Sequence, residues 1–283
     1  MKTGIVLEGG AMRGIYTAGV LDVFLEEGVT ADLVMGVSAG AVHGCSFVSG
    51  QHGRSIRYYM KYCGDPRFMS FRSLLTTGDV VEEQFCYREI PERLDPFDND
   101  AFEASPVKFY VVCSDLETGE AAYLLCPTLR GEAVDRIRAS ASMPFLSRVV
   151  PVEGRLLLDG GVCDSIPATA ALRLGCEKLL VVLTRPEGYR KKPSGSLAAR
   201  VRYRQFPHFV RALSRRYRQY NDSLENLRRL EAEGKALVIR PSRDLGIKRM
   251  EKDLRKVRAQ YDLGREDALA KLAAIREFFT ETK

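Results

Sequence analysis

One serine lies in a sequence pattern that is typical of a catalytic nucleophile. Ser38 is the centre of a Gly-x-Ser-x-Gly pentapeptide whose outer residues are Gly36 and Gly40. An apolar run at residues 33–35 precedes the pentapeptide, and small residues follow it. The pattern predicts a nucleophile elbow, in which a buried strand turns sharply into a helix and raises one hydroxyl above the sheet. Small neighbours are needed because the elbow residue has a strained backbone.

Two further glycine-rich turns also follow apolar runs, at residues 9–14 and at residues 159–161. In a parallel α/β sheet the carboxyl ends of the strands share one edge, so the three turns are expected to converge there. Asp159 is then a base for Ser38. The backbone amides of Gly9, Gly10 and Ala11, which lead into the next helix, are expected to bind the oxyanion that forms during acyl transfer.

Each of these motifs also has a simpler interpretation. Residues 9–14 resemble a phosphate-binding loop, but Ala11 occupies a position where the G-x-G-x-x-G fingerprint requires glycine. Asp159 is alternatively a turn residue at a strand end. Arg13 either holds an anionic headgroup or pairs with a carboxylate such as Glu8, and the sequence leaves both possibilities open.

Histidine distinguishes two classes of serine hydrolase, because a Ser-His-Asp enzyme requires one. The chain has three histidines. His43 is expected on the helix after Ser38, directed to another side, and His52 in a loop. Only His208 follows Asp159, in a basic segment where a surface or packing role is more common. The sequence therefore favours a Ser-Asp dyad, and a triad that uses His208 is the alternative.

The elements that must position these residues alternate between strands and helices. Residues 51–105 are rich in aromatic residues and predict short helices over the sheet, which either line an acyl pocket or form ordinary core. The last two helices are predicted at 248–261 and 265–279. Strand–helix alternation predicts a mainly parallel sheet with helices on both sides. Apolar runs predict strands at residues 4–8, 31–35, 107–112, 121–125, 155–158, 178–184 and 236–241.

The charge is distributed unevenly along the 283 residues, whose net charge is +6. Residues 1–189 hold 18 Lys+Arg and 25 Asp+Glu, whereas residues 190–283 hold 25 and 12. A basic segment of this kind is most often a solvated helical surface. The alternative is contact with an anionic partner, for which we expect a membrane surface and not nucleic acid.

Composition also limits the compartment and the cofactors. No apolar run approaches the ~20 residues of a membrane span, and the first residues lack a signal-peptide pattern. The seven cysteines are scattered without metal-ligand spacing. We therefore expect no metal, no cofactor and a cytoplasmic location, with peripheral contact at the inner membrane face as a further expectation from the basic segment.

Taken together, the three motifs resemble those of the patatin-like phospholipase family. They match its glycine-rich oxyanion loop with a basic residue, its elbow and its Asp-Gly-Gly motif in order and spacing, over about residues 3–185. Residues 139–144 also resemble the stretch that the family carries before its catalytic aspartate. The matching motif residues around Ser38 and Asp159 are Gly9, Gly10, Ala11, Arg13, Gly14, Gly36, Gly40, Gly160 and Gly161.

The resemblance implies a three-layer α/β/α sandwich with a mainly parallel central sheet and additional C-terminal helices. It implies a catalytic core at 1–185 and a basic, mainly helical extension at 186–283. Independently of the resemblance, the strand-like residues at about 236–240 predict that this extension packs on the same domain. The implied activity is hydrolysis of fatty acyl esters of lipids by a Ser38–Asp159 dyad, as in a phospholipase A or lysophospholipase. One departure is Ala11, which replaces a glycine of the family's loop and adds a methyl group to the pocket. A non-catalytic lipid- or nucleotide-binding protein of the same fold is the second alternative.

Overall fold

A mainly parallel sheet lies between two layers of helices in the computed structural model, which describes residues 1–193 and 197–280. Five strands pair in parallel in the order β3-β2-β1-β7-β8, and β4, β5 and β6 are antiparallel additions at one side. The predicted α/β/α sandwich is therefore confirmed. The strands are β1 (Thr3–Leu7), β2 (Leu33–Val37), β3 (Lys108–Asp115), β4 (Ala121–Leu125), β5 (Val150–Val152), β6 (Arg155–Asp159), β7 (Lys178–Val182) and β8 (Ala236–Ile239).

The helices cover both faces of the sheet. Short 3-10 segments at Ala11–Gly14, Gly131–Val134 and Gly160–Val162 and a π-helix at Phe85–Leu94 accompany them. The α-helices are α1 (Ile15–Glu26), α2 (Ala39–Val48), α3 (Arg54–Tyr62), α4 (Phe71–Thr77), α5 (Asn99–Ala104), α6 (Asp135–Ala141), α7 (Ala168–Arg173), α8 (Leu197–Arg202), α9 (Pro207–Ala232), α10 (Leu254–Ala270) and α11 (Leu272–Thr280).

The central strands are continuous apolar runs because both of their faces are covered. Successive side chains point to opposite faces of a strand. In β1, Ile5 and Leu7 therefore pack into the core on the side of α1 and α2, whereas Val6 packs into the core that contains Tyr220 and Leu227 of α9. Helix α9 thus helps to bury one face of the sheet, whereas Leu263 of α10 and Ile275 of α11 pack into the core on the other face.

One edge of β3 accommodates two strands that run in opposite directions. β4 pairs with Tyr110–Ser114, and these residues include some that also pair with β2 and some that also pair with β6. β4 therefore lies alone along the opposite edge of β3. β2 pairs in parallel with residues 108–112, and β6 pairs antiparallel with residues 113–115. The expectation that Asp159 follows a parallel strand is therefore wrong. β6 is the second strand of a hairpin: a tight turn at residues 153–154, both with positive φ, folds it back on β5, and it then pairs antiparallel with the end of β3.

The C-terminal segment is integrated with the rest of the fold. β8 extends the sheet by pairing with β7, and α10 crosses α1 with their backbones in contact. A Cβ atom at Gly264 would lie 2.1 Å from the carbonyl oxygen of Tyr16, and one at Gly19 would lie 2.1 Å from that of Tyr261. The predicted helix break near residues 262–264 is wrong, because Gly264 serves this close approach inside one continuous helix.

Two kinds of feature are absent from the described ranges. No helix within residues 1–193 and 197–280 is long and apolar enough to cross a membrane. No group of three or more His, Cys, Asp or Glu side chains in those ranges is arranged to hold a metal ion. All seven cysteines are free thiols.

Candidate active site

Ser38 occupies a sharp turn between β2 and α2. Its φ of 54° and ψ of −122° lie in a region that residues other than glycine rarely adopt. Ser38 is also the residue that precedes the first turn of α2, so the positive end of the helix dipole lies beside its hydroxyl. The geometry is that of the predicted elbow.

The hydroxyl of Ser38 is bonded directly to a carboxylate. Ser38 Oγ donates a 2.8 Å hydrogen bond to Asp159 Oδ2, and the backbone N–H of Gly161 donates a 2.7 Å bond to Asp159 Oδ1. Both side chains of the pair are buried, with 7% of Ser38 and 5% of Asp159 exposed. The Asp-Gly-Gly turn therefore orients the carboxylate toward the serine.

The register of β3 explains why the two residues meet. Val37, at the end of β2, pairs with Val112, and Asp159, at the end of β6, pairs with Cys113. Because Val112 and Cys113 are consecutive, the two strands end against each other along one edge of β3.

The C-terminal end of α6 holds both members of the pair. The backbone N–H of Ser38 donates a 2.8 Å bond to Ser140 Oγ, whose own hydroxyl donates to the carbonyl of Val112 at 2.6 Å. The backbone N–H of Asp159 donates a 2.8 Å bond to the carbonyl of Ser142. Sequence reasoning did not assign Ser140 a role, and the only signal for it is its place in the stretch 139–144.

The environment of Asp159 alters its basicity. Burial raises the pKa of Asp159, against the positive charge of Arg216 and the hydrogen bonds from Ser38 and Gly161, which lower it. Arg216, on α9, is fixed by a 2.6 Å bond from its Nε to the carbonyl of Gly161. A carboxylate with a raised pKa is a better proton acceptor than an exposed one. No sequence signal indicated Arg216.

Most glycines of the motifs lie where a Cβ atom would overlap neighbouring atoms. A Cβ atom at Gly9 would lie 2.9 Å from Ser38 Cβ, so the glycine-rich loop passes directly against the elbow. A Cβ atom at Gly40 would lie 2.4 Å from the carbonyl oxygen of Leu7. Four other motif glycines have contacts of 2.8 Å or less of the same kind: Gly10, Gly14, Gly36 and Gly160.

Ala11 adopts a conformation that favours glycine. Its φ is 47°, in the left-handed region, and its backbone begins the 3-10 turn that leads into α1. Together with Ser38, Ala11 lies in the wall of both cavities that open at this site.

The first of these cavities, the apolar cavity, has a volume of ≈ 350 Å³. Most of its wall comes from α2, α3, the π-helix and α6. The aromatic stretch at 51–105 therefore lines a pocket as well as forming core. Its apolar lining includes Val42, Tyr58, Tyr59, Phe68, Ile90, Leu129, Ile137 and Met143.

The second cavity, the basic cavity, has a volume of ≈ 300 Å³ and also contains Asp159 in its wall. Two carboxylates line it, those of Glu8 and Asp159. Five cationic side chains line it, and four of them come from residues after β7: Arg13, Arg185, Lys191, Arg216 and Arg249.

The three histidines lie away from the Ser38–Asp159 pair. His43 is buried on α2, where Nδ1 lies 3.0 Å from Ser55 Oγ and burial lowers its pKa to about 3. His52 lies 2.6 Å from Glu26. His208 is exposed, and its backbone packs against Gly119. Among the described residues, none of the three rings bonds to the Asp159 carboxylate.

The fold and this site define an α/β protein with a serine nucleophile elbow, and comparison with known proteins identifies its family. The family model described as patatin-like phospholipase matches residues 5–172. The chain therefore belongs to the patatin-like phospholipase family. A second model, described as a domain of unknown function, matches residues 206–280.

Individual relatives are similar over different shares of their length. The chain is 31% identical over 188 residues to the uncharacterized protein YjjU of Escherichia coli, covering 65% of this chain and 52% of YjjU. It is 26% identical over 259 residues to lysophospholipase nte1 of Aspergillus oryzae, covering 86% of this chain and 16% of that protein. The chain thus spans about half of the first relative and a smaller part of the second.

The fold also occurs in a solved structure. The crystal structure of VipD from Legionella pneumophila superposes with a TM-score of 0.53 at 10% identity, covering 96% of this chain and 67% of VipD. At this identity the likeness shows the fold alone.

Proposed function

We propose that the protein is a serine acyl hydrolase of the phospholipase A or lysophospholipase type, with Ser38 as nucleophile and Asp159 as its base. The observation that carries the proposal is the 2.8 Å bond from Ser38 Oγ to Asp159 Oδ2 at the junction of two cavities. Membership of the family and the name of the Aspergillus relative support lipid esters as the substrate class.

In the proposed acylation step, Asp159 accepts the proton of Ser38 while Oγ forms a bond to the acyl carbonyl carbon. The oxyanion is stabilised by the backbone amides of Gly10 and Ala11 and by the N-terminus of α2. The ester C–O bond then breaks, and Asp159 returns the proton to the departing alcohol. The raised pKa of Asp159 suits both proton transfers.

In the proposed deacylation step, Asp159 accepts a proton from water as the water oxygen attacks the acyl carbon. The bond from carbon to Ser38 Oγ breaks, and the proton passes to Oγ. A free fatty acid leaves the apolar cavity, whose aromatic and aliphatic lining suits an acyl chain. The cycle needs no metal or cofactor.

Matched variants test the dyad in an assay with a monoacylglycerol and a short nitrophenyl ester. Ser38→Ala and Asp159→Asn are each expected to lower kcat by at least about 10³-fold. The control is Asp164→Asn, because Asp164 is a nearby carboxylate that bonds to Tyr123 and not to Ser38. Wild-type turnover by Asp159→Asn would exclude the dyad.

The triad alternative is tested by the same assay. We expect His208→Ala to retain wild-type kcat, because His208 is exposed and lines neither cavity among the described residues. A large loss of kcat would favour the triad. Retention of ester binding without turnover by the wild-type protein would favour the non-catalytic alternative.

We further propose peripheral contact with an anionic membrane. On α8, Leu197 and Val201 are 75% and 70% exposed, and Arg200 and Arg202 are exposed beside them. Exposed apolar and cationic side chains together suit an anionic lipid surface. Sedimentation with phosphatidylglycerol vesicles is expected to be lost in the Leu197→Asp/Val201→Asp variant and weakened by salt.

A further inference from the structure

The five cations of the basic cavity lack the carboxylate partners that the arginines of the apolar cavity have. None of the five forms an ion pair with a carboxylate of the described residues. The arginines that line the apolar cavity do so: Arg54 pairs with Asp95 at 3.4 Å, and Arg130 pairs with Glu103 at 2.9 Å. The basic cavity therefore has an excess of positive charge, with five cations against the two carboxylates of Glu8 and Asp159.

The contacts that these cations do make leave their charge available. Lys191 Nζ lies 4.2 Å from the centroid of the Tyr220 ring, and Arg185 Cζ lies 4.5 Å from that of the Tyr189 ring. Arg13 Nε is buried and has no hydrogen-bond partner in the described part of the chain. Aromatic contacts orient a cation without neutralising it.

The carboxylates of the cavity are already occupied. One oxygen of Glu8 accepts a 2.7 Å bond from the Tyr220 hydroxyl, and the other accepts bonds of 2.6 and 3.1 Å from the backbone N–H and hydroxyl of Thr184. Asp159 is bonded to Ser38. Glu8 is thus held by neutral donors, and it forms no ion pair with Arg13.

Mutual repulsion among the cations favours an anionic ligand. Burial and then the charge of Arg185 lower the pKa of Arg13. Burial and then the charge of Arg216 lower the pKa of Lys191 to about 7. An anion in the cavity would relieve this repulsion, and arginine and lysine are the usual ligands of phosphate.

We propose that the basic cavity binds a phosphate group on the alcohol portion of the ester, so that the enzyme prefers phosphate-bearing acyl esters with a net negative headgroup. This proposal rests on the proposed function, since it places the acyl chain in the apolar cavity and the headgroup in the basic cavity on either side of Ser38. A choline headgroup fits poorly, because Tyr189 and Tyr220 already stack against cations and Glu8 is occupied.

The proposal gives the C-terminal segment a role in specificity. The patatin-like match ends at residue 172, and four of the five cations lie beyond it. Arg216 and Arg249 belong to the region that matches a domain of unknown function. The core thus carries the proposed dyad, whereas this segment supplies most of the proposed phosphate site.

The test compares three esters with one acyl chain: oleoyl lysophosphatidate, oleoyl lysophosphatidylcholine and monooleoylglycerol. Wild-type kcat/KM is expected to be about tenfold higher for lysophosphatidate than for the choline ester. The measure of selectivity is kcat/KM for lysophosphatidate divided by kcat/KM for monooleoylglycerol. Lys191→Gln and Arg249→Gln are each expected to lower this ratio about tenfold, mainly by raising the KM for lysophosphatidate. The matched control is Lys192→Gln, the exposed neighbour outside the cavity, which should leave this ratio unchanged.

Kinetics separate this inference from the proposed function. Hydrolysis of monooleoylglycerol without any preference for lysophosphatidate would overturn the phosphate site and leave the hydrolase intact. Equal behaviour of Lys191→Gln and Lys192→Gln would do the same. If the protein hydrolysed none of the three esters, the proposed function would be overturned.

Calorimetry tests the site without turnover and distinguishes a headgroup from a free anion. Glycerol 3-phosphate is expected to bind wild type and to bind Lys191→Gln about tenfold more weakly. No binding of glycerol 3-phosphate would overturn the phosphate site. Two results together would overturn the headgroup proposal and assign the cavity to a free anion. Inorganic phosphate would bind as tightly as glycerol 3-phosphate, and it would inhibit the hydrolysis of monooleoylglycerol and of lysophosphatidate equally.

Discussion

Ser38 and Asp159 lie at the ends of strands that run in opposite directions, yet their side chains are 2.8 Å apart. Their backbone amides are held by the same short segment, because Ser140 Oγ accepts from Ser38 and the carbonyl of Ser142 accepts from Asp159. The end of α6 thus sets the distance between the proposed nucleophile and base.

Ser140→Ala tests this positioning role. The change removes the acceptor for the Ser38 N–H and the donor to the Val112 carbonyl, both buried. We expect a loss of about 1–3 kcal/mol in the free energy of unfolding and a fall in kcat of about tenfold or more with little change in KM. Denaturant unfolding and ester kinetics measure the two effects.

Ser142→Ala is the control for that experiment. Among the described residues its hydroxyl bonds only to the carbonyl of Arg138, and its backbone contact with Asp159 remains. It is expected to retain the wild-type kcat. If Ser140→Ala also retained it, α6 would not position the elbow.

Arg216→Gln tests how Asp159 titrates. Asp159 must be ionised to accept a proton, so kcat/KM should fall as the pH falls through its raised pKa. Loss of the Arg216 charge removes an effect that lowers this pKa. The acid limb of the pH profile is therefore expected to move upward by about one pH unit.

Arg215→Gln is the matched control for the pH profile. Arg215 is the preceding residue of α9 and is exposed, away from the carboxylate. Its acid limb should coincide with that of wild type. A downward movement of the limb in Arg216→Gln would contradict the assignment of the limb to Asp159.

The strained backbone of Ser38 predicts that glycine at this position gives a more stable protein than alanine does. At a φ of 54°, glycine is favoured over any residue with a Cβ atom. Ser38→Gly is therefore expected to be more stable than Ser38→Ala by about 1 kcal/mol, and both are expected to be inactive. Thermal unfolding measures the difference, and equal stability would mean that the elbow stores no strain.

Gly264→Ala tests the contact between α1 and α10. The new methyl group would overlap the carbonyl oxygen of Tyr16, so we expect a loss of about 3 kcal/mol in the free energy of unfolding. Gly64→Ala is the control, because a Cβ atom at Gly64 would point into open space. Equal unfolding midpoints for the two variants would show that α1 and α10 can move apart without a loss of stability.

Local sequence patterns predicted much of the fold and the elbow. Apolar runs marked seven of the strands because β1, β2 and their neighbours are buried on both faces. The small residues around Ser38 marked the turn because the loop at Gly9 and the strand at Leu7 leave no space for side chains. These signals lie within a few residues of the features that they predict.

Other features depend on contacts between distant parts of the chain. Nothing local to Asp159 distinguishes an antiparallel strand from a parallel one, because both are short apolar runs. Arg216 and Lys191 come within reach of the site only through the packing of the C-terminal segment. From the sequence alone Gly264 is interpreted as a helix end, because the residues around a glycine in the sequence do not show whether another helix packs against it.

A fluorophosphonate probe, mapped by peptide mass, tests whether Ser38 is the nucleophile. We expect the wild-type protein to be labelled at Ser38, Ser38→Ala to remain unlabelled, and Asp159→Asn to be labelled much more slowly. A folded protein that hydrolyses esters and carries the label on another residue, or remains unlabelled at Ser38, would contradict this assignment.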